Sequence, residues 1–362
     1  MRQTLVVSVV AAGAFAQLTA RVSVDPAGFP LNWSEIAFNH AVSADGRWLA
    51  YHSCGNVYLR DLSSGQVILA SPTLPGTVPT GYAQYASISD DGRYVAFESN
   101  SDALVPGDTN GVNDVFVFDR LTNTVERVSV DSYGNQVWGG GAAAMISGDG
   151  STVAFASWAG NLVPNDTNYA ADVFVRDLAT GVTTRESVDS NGQQVSLPWY
   201  GSNHTIGLLA ISRDGMVVAF ESEFDALVPG DTNMCWDVFV RDRAAGTTSR
   251  VSVSSTGVEG DNLSLFPSLS GNGRHVAFAS LASTLVPGDT NGGWGGSAGD
   301  VFVHDRWTAT TERVNLTMAG TQSTGGIEGG GTAMSCNGRF VAYQSYASDL
   351  VPNDTNGAGG VA

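Results

Sequence analysis

Short apolar runs separated by glycine- and aspartate-rich turns recur along the chain, and no segment carries a sustained helical period with caps. A turn of the form Ser-x-Asp/Asn-Gly occurs six times, with its glycine at Gly46, Gly92, Gly150, Gly215, Gly273 and Gly338. An apolar run follows each: Trp48–Tyr51, Tyr94–Phe97, Val153–Phe155, Val217–Phe220, His275–Phe278 and Phe340–Tyr343. In five repeats an Asp-Thr-Asn begins 16 residues after that glycine, at Asp108, Asp166, Asp231, Asp289 and Asp354. An Asp-Val-Phe-Val run starts at 22 residues in three repeats (Asp114, Asp172, Asp237), and an arginine stands at 35 (Arg127, Arg185, Arg250). In the fifth repeat both are displaced by five residues, to Asp300 and Arg313, which places an insertion within Gly292–Gly299. Spacing this rigid over about 45 residues marks one folding unit, copied.

Each unit holds four strand-like runs; in the second they are Ala86–Ile88, Tyr94–Glu98, Val115–Phe118 and Val125–Val130. The Asp-Gly between the first two signals a tight hairpin. Four antiparallel strands per unit, repeated radially, predict an all-β fold, a six-bladed β-propeller. The sixth unit stops two residues into its third strand, while Arg21–Asp25 matches the fourth-strand sequence Arg127–Asp131. The expectation is a ring closed by this N-terminal strand in the last blade. The third strand of that blade is then missing, supplied by Ser8–Ala12, or lost by truncation. Residues 1–16 combine Arg2, an apolar run from Leu5 and Ala14-Phe15-Ala16, the pattern of a secretory signal peptide, which leaves 17–362 as one propeller domain. A valine-rich first strand is the competing reading.

Ser89–Phe97, read as Ser-Asp-Asp-Gly-Arg-Tyr-Val-Ala-Phe, resembles the WD-like repeat of TolB-type six-bladed propellers. The longer Leu-Val-Pro-Gly-Asp-Thr-Asn form is similar to repeats of secreted bacterial proteins. The first unit departs from the pattern, with Ser53-Cys54-Gly55-Asn56 in place of Asp-Thr-Asn. The resemblance implies the fold. It leaves function open, because that superfamily includes protein-interaction modules, polysaccharide lyases and gating propellers of peptidases.

Charge narrows the partners. With 35 acidic and 17 basic residues, all of the latter arginine, the net charge is −18. Such a chain repels phosphate backbones, so nucleic acid is not an expected partner. No apolar stretch reaches the ~18 residues of a membrane span. Export would place the protein outside the cell, in the periplasm or at the cell surface.

The repeated loops carry the candidate chemistry. Asp108/Asn110/Asp114, Asp166/Asn168/Asp172 and Asp231/Asn233/Asp237 each offer two carboxylates and an amide oxygen, ligands of the kind Ca²⁺ takes. Asp289/Asn291 with the displaced Asp300 is a weaker copy, and Asp354/Asn356 another. The alternative is that these residues form Asx turns. In a propeller the loops between second and third strands (the long loops) share a face with the loops between blades. That face would collect Trp33, Trp138, Trp199 and Tyr200 from inter-blade loops and Trp236 and Trp294 from long loops, a set suited to a glycan or protein ligand. Wedging of tryptophans between blades is the alternative.

The Asp-Arg pairs at 119–120, 242–243 and 305–306 read as structural ion pairs. Gly295–Gly299 matches Gly-x-Ser-x-Gly but is followed by a strand rather than a helix, so it is no nucleophile elbow. The five histidines form no metal spacing, and only His204 falls beside Trp199 and Tyr200. Cys54, Cys235 and Cys336 are too scattered for a disulfide. The expectation is a secreted, non-catalytic binding propeller, dependent on calcium if the loops bind it. A propeller-type polysaccharide lyase or hydrolase and a structural surface repeat are the alternatives.

Overall fold

The computed structural model describes residues 6–7, 20–21, 34–35, 41–78, 80–195, 206–292 and 299–352. Strands and turns make up these residues, and the strands form antiparallel sheets in chain order. The second sheet is Ala83–Ile88, Tyr94–Ser99, Asp114–Asp119 and Thr124–Arg127. The first, third, fourth and fifth sheets repeat this four-stranded meander. The sixth sheet has two strands among the described residues, Ile327–Met334 and Val341–Ser345. From the second sheet to the sixth, first strands of successive sheets lie against one another, so these sheets are blades with their first strands innermost.

The repeated Val-Ala-Phe sequence follows from blade stacking. Side chains alternate across a strand. Val95 and Phe97 therefore pack with Trp48, Val57 and Leu59 of the first blade, while Ala96 faces Ala144, Ile146 and Phe155 of the third. The same division recurs at Val218/Phe220 and Ala219 in the fourth blade. Large residues on one face meet a small one on the other, so the blades interdigitate. Within each of the first five blades a buried aromatic pair links second and third strands, among them Phe97–Phe116 at 5.8 Å and Phe155–Phe174 at 5.9 Å, with Tyr51–Tyr58 in the first.

The Ser-x-Asp-Gly turn is a compact hydrogen-bonded device. Ser89 Oγ donates to Asp91 Oδ1 (2.7 Å), and that oxygen accepts the Arg93 amide (2.9 Å). Gly92 is left-handed (φ 68°), and a Cβ there would lie 2.2 Å from the Trp48 ring, so both conformation and close approach require glycine. The turns also join the blades. Ala44 N donates to Asp90 O, Asp90 N to Gly148 O, Asp149 N to Arg213 O, Arg213 N to Gly271 O, and Gly271 N to Cys336 O.

The closing strand expected in the last blade is not found there among the described residues. Arg21 instead pairs with Val6, and Ala20 with Val7, in a two-residue ladder. Residues 22–25 lie outside the described residues. The sixth sheet's second strand therefore shows no outer neighbour among those described, and its residues are half-buried or exposed where the other blades' are buried.

Truncating Phe174 to alanine should cost about 3–5 kcal/mol, because it empties a sealed site between two blades. Urea denaturation checks this; a loss below 1 kcal/mol would mean that the stacked pair contributes little.

Candidate functional site

The long loops are held by arginine. In the third blade Arg185 Nη1 stands 3.2 Å from Asp166 Oδ1 and 3.5 Å from Asp172 Oδ2. Arg127 bridges Asp108 (3.2 Å) and Asp114 (3.8 Å) in the same way, Arg250 bridges Asp231 (3.0 Å) and Asp237 (3.2 Å), and Arg313 bridges Asp289 (3.3 Å) and Asp300 (3.0 Å). All of these side chains are largely buried. The fourth strand carries the arginine, the third strand opens with the second aspartate, and the long loop supplies the first. One guanidinium thus ties three elements together.

This arrangement brings together the residues named above as candidate calcium ligands, Asp108, Asn110, Asp114, Asp166, Asn168, Asp172, Asp231, Asn233, Asp237, Asp289, Asn291 and Asp300. The cation between each pair of carboxylates is the protein's own. The asparagines are engaged within the loop: Asn110, Asn168 and Asn233 each donate Nδ2 to the second aspartate at 2.9–3.0 Å. Their Oδ1 atoms accept the amides of Val112, Ala170 and Cys235, which makes Asx turns. The remaining oxygen of the second aspartate accepts the hydroxyl of Ser129, Ser187 or Ser252, and in the fifth blade the amide of Asn315. Among the described residues no group of three or more His, Cys, Asp or Glu is arranged to hold a metal ion. Asp354 and Asn356 lie outside the described residues.

Burial dominates the electrostatics of these loops. It pushes the Asp108, Asp114, Asp166 and Asp237 carboxyls up, takes Asp172 up to about 6 and Asp231 up to about 7, and the arginines oppose it. The fourth blade is distinct. Glu259 sits 2.9 Å from Arg250 and accepts from Thr232, where the other blades have Gln136, Gln194 and Gln322. Three carboxylates there share one guanidinium.

The aromatic residues divide. Trp138 is 79% exposed and Trp158 49% exposed, and the segments carrying them meet at Gly139, where a Cβ would lie 2.4 Å from the Ala159 nitrogen and 2.8 Å from the Trp158 carbonyl carbon. Trp236 is half-buried at the start of a third strand, and Trp48 is a buried wedge between blades under the Arg120 guanidinium (4.1 Å). Trp307 is exposed on an outer turn between third and fourth strands. Trp33, Trp199, Tyr200, His204 and Trp294 lie outside the described residues, as do residues 295–298 of the Gly-x-Ser-x-Gly match.

Two glutamates with raised pKa face the inner strands. Each inner strand of the second, third and fifth blades carries a bulge, with Tyr85, Ala143 or Phe266 at positive φ. Glu98 accepts the Ala143 amide (3.2 Å) from the next blade, and Glu221 accepts the Phe266 amide (2.6 Å). Burial raises both carboxyls. Their oxygens are taken up by Gln84 and Leu208 as well, so they pin the bulges of neighbouring blades.

The Asp-Arg dipeptides form ion pairs, but across strands and blades rather than within themselves. Asp119 binds Arg93 (2.7 Å), Asp242 binds Arg306 (3.1 Å), Arg243 binds Glu186 (3.0 Å) and Asp305 binds Arg274. The Arg274 guanidinium holds the Asp305 carboxyl far below the usual range.

The structural roles of Arg127, Arg185, Arg250 and Arg313, of Glu259 and of Trp158 are not apparent from residue type alone. A signal exists: the fifth-blade insertion moves Asp300, Arg313 and Gln322 together by five residues relative to the other blades. Such joint displacement marks a unit that stays assembled.

No protein-family model and no curated protein matches the chain. Among solved structures, a TolB-assigned protein of Agrobacterium tumefaciens is 17% identical, with 86% of this chain and 90% of that chain covered and a TM-score of 0.47. TolB of Acinetobacter baumannii is 19% identical (76% and 53% covered, TM-score 0.42). Kuenenia stuttgartiensis hydrazine synthase is 15% identical (84% and 72% covered, TM-score 0.43). These likenesses are distant, and the propeller reading rests on the chain's own sheets and register.

Two outcomes follow from the clamp. Thermal unfolding should give the same midpoint in EDTA and in millimolar calcium; a rise specific to calcium would favour the metal reading over the arginine clamp. The Asp231 carboxyl, raised in the folded state, should cost stability as pH climbs from about 4 to about 7, because the folded chain holds the proton more tightly than the unfolded one. The stability of the parent relative to Asp231→Asn should therefore fall over that interval in urea titrations; a rise would reverse the assignment.

Proposed function

We propose that this protein is a binding propeller that holds a glycan on the face carrying the long and inter-blade loops. The observation that carries this reading is the exposed pair Trp138 and Trp158, brought together where Gly139 packs on the neighbouring backbone. Indole faces left in water on a rigid scaffold suit the apolar faces of sugar rings, whose hydroxyls remain hydrated at the rim. The clamped loops supply the rigidity, since each long loop is tied to two strands through one arginine. A secreted, periplasmic or cell-surface setting, expected from residues 1–16, is where such ligands are met. The inner-strand glutamates support binding over cleavage, because their oxygens are engaged by backbone and glutamine donors.

Affinity electrophoresis in native gels containing galactomannan, mixed-linkage glucan, xylan or polygalacturonate tests the reading. At least one neutral polysaccharide should retard the parent, and Trp138→Ala should weaken the retardation about tenfold. No retardation in any gel would overturn the reading. Release of reducing ends, abolished by Glu98→Gln or Glu221→Gln, would replace binding by catalysis.

A further inference from the structure

The long loops contain two left-handed positions, and the chain treats them differently. Fifteen residues after the hairpin glycine stand Gly107 (φ 76°), Asn165 (61°), Gly230 (80°) and Gly288 (75°), the residue types that adopt this conformation readily. Four residues further on, the second blade has Gly111 (φ 67°), but the third and fourth blades have Tyr169 (56°) and Met234 (54°). A tyrosine or an unbranched apolar residue is strained there. Nothing inside the protein offsets the strain by packing: Tyr169 is 90% exposed and Met234 87% exposed. Both lie in long loops, on the face that carries Trp138 and Trp158.

We propose that Tyr169 and Met234 are ligand-contacting residues, and that the ligand is an extended, uncharged polysaccharide crossing the long loops of the third and fourth blades. This rests on the glycan reading above and deepens it. A single sugar ring on Trp138 and Trp158 would not reach the fourth blade, whereas a chain of rings would meet an aromatic or thioether surface on successive blades. Charge selects against anionic polymers. Each arginine site beside a long loop sets two carboxylates against one guanidinium, the fourth blade adds Glu259, and the whole chain carries −18. Methionine at the far end of the row supplies an adaptable apolar contact.

The test uses the full chain with Tyr169→Gly, Met234→Gly and the double variant, read by melting temperature and by the same gels. Glycine relieves the left-handed strain, so each single variant should melt roughly 1–3 °C higher than the parent. Each should also lose about fivefold or more in retardation by the neutral polysaccharide that binds the parent. Stability and binding are thus expected to move in opposite directions. If Trp138→Ala weakens binding while the glycine variants bind as the parent does, the inference falls and the glycan reading stands. If the glycine variants melt lower, these residues serve the fold and the inference falls. Retardation of the parent by polygalacturonate alone would overturn the uncharged class. A parent that no gel retards overturns both readings.

Discussion

A guanidinium placed between two buried carboxylates organises this protein. Neither partner could be buried alone, because an unpaired charge in a low-dielectric interior is prohibitively costly. Arg185 needs Asp166 and Asp172, and they need it. The same triad recurs at Arg127, Arg250 and Arg313. Each triad fixes the path of a long loop whose apolar residues, such as Leu104, Leu162, Leu227 and Leu285, are buried in the blade cores. The long-loop face is therefore held by buried charge and by apolar anchors together.

The opposite face is built by a different economy of interactions. There the Ser-x-Asp-Gly turns hydrogen-bond from one blade to the next, and exposed or half-buried arginines pair with aspartates at the strand ends. Those aspartates have depressed pKa values, Asp61 through Arg47 and Asp305 through Arg274, whereas the long-loop aspartates are raised by burial. Acid and base thus act oppositely on the two ends of the molecule. The hairpin face pairs its aspartates closely with arginine, whereas burial governs the carboxyls of the long loops.

Much of the fold was legible because the repeat leaves little freedom. Val-Ala-Phe after each hairpin glycine announces a strand with one large and one small face, and the structure uses it that way in successive blades. The ring closure was less legible: the match of Arg21–Asp25 to a fourth strand is a statement about composition, and strand pairing depends on register and partners that composition does not encode. The arginine at the centre of these loops was not legible, because aspartate and asparagine at metal-like spacing serve an internal cation equally well. The deciding residue, the arginine, lies 19 positions after the first aspartate in three blades and 24 in the fifth, beyond the reach of a local motif. Trp158 was missed because it directly follows a strand, and only the approach of Gly139 makes it part of a surface.

The most direct test of the arginine account is amide hydrogen exchange on Arg185→Met, in EDTA and in millimolar calcium. The account predicts that residues 166–172 lose protection while the Phe155–Phe174 core of that blade keeps most of its own, and that calcium restores nothing. Unchanged protection in the loop, or recovery on adding calcium, would contradict it.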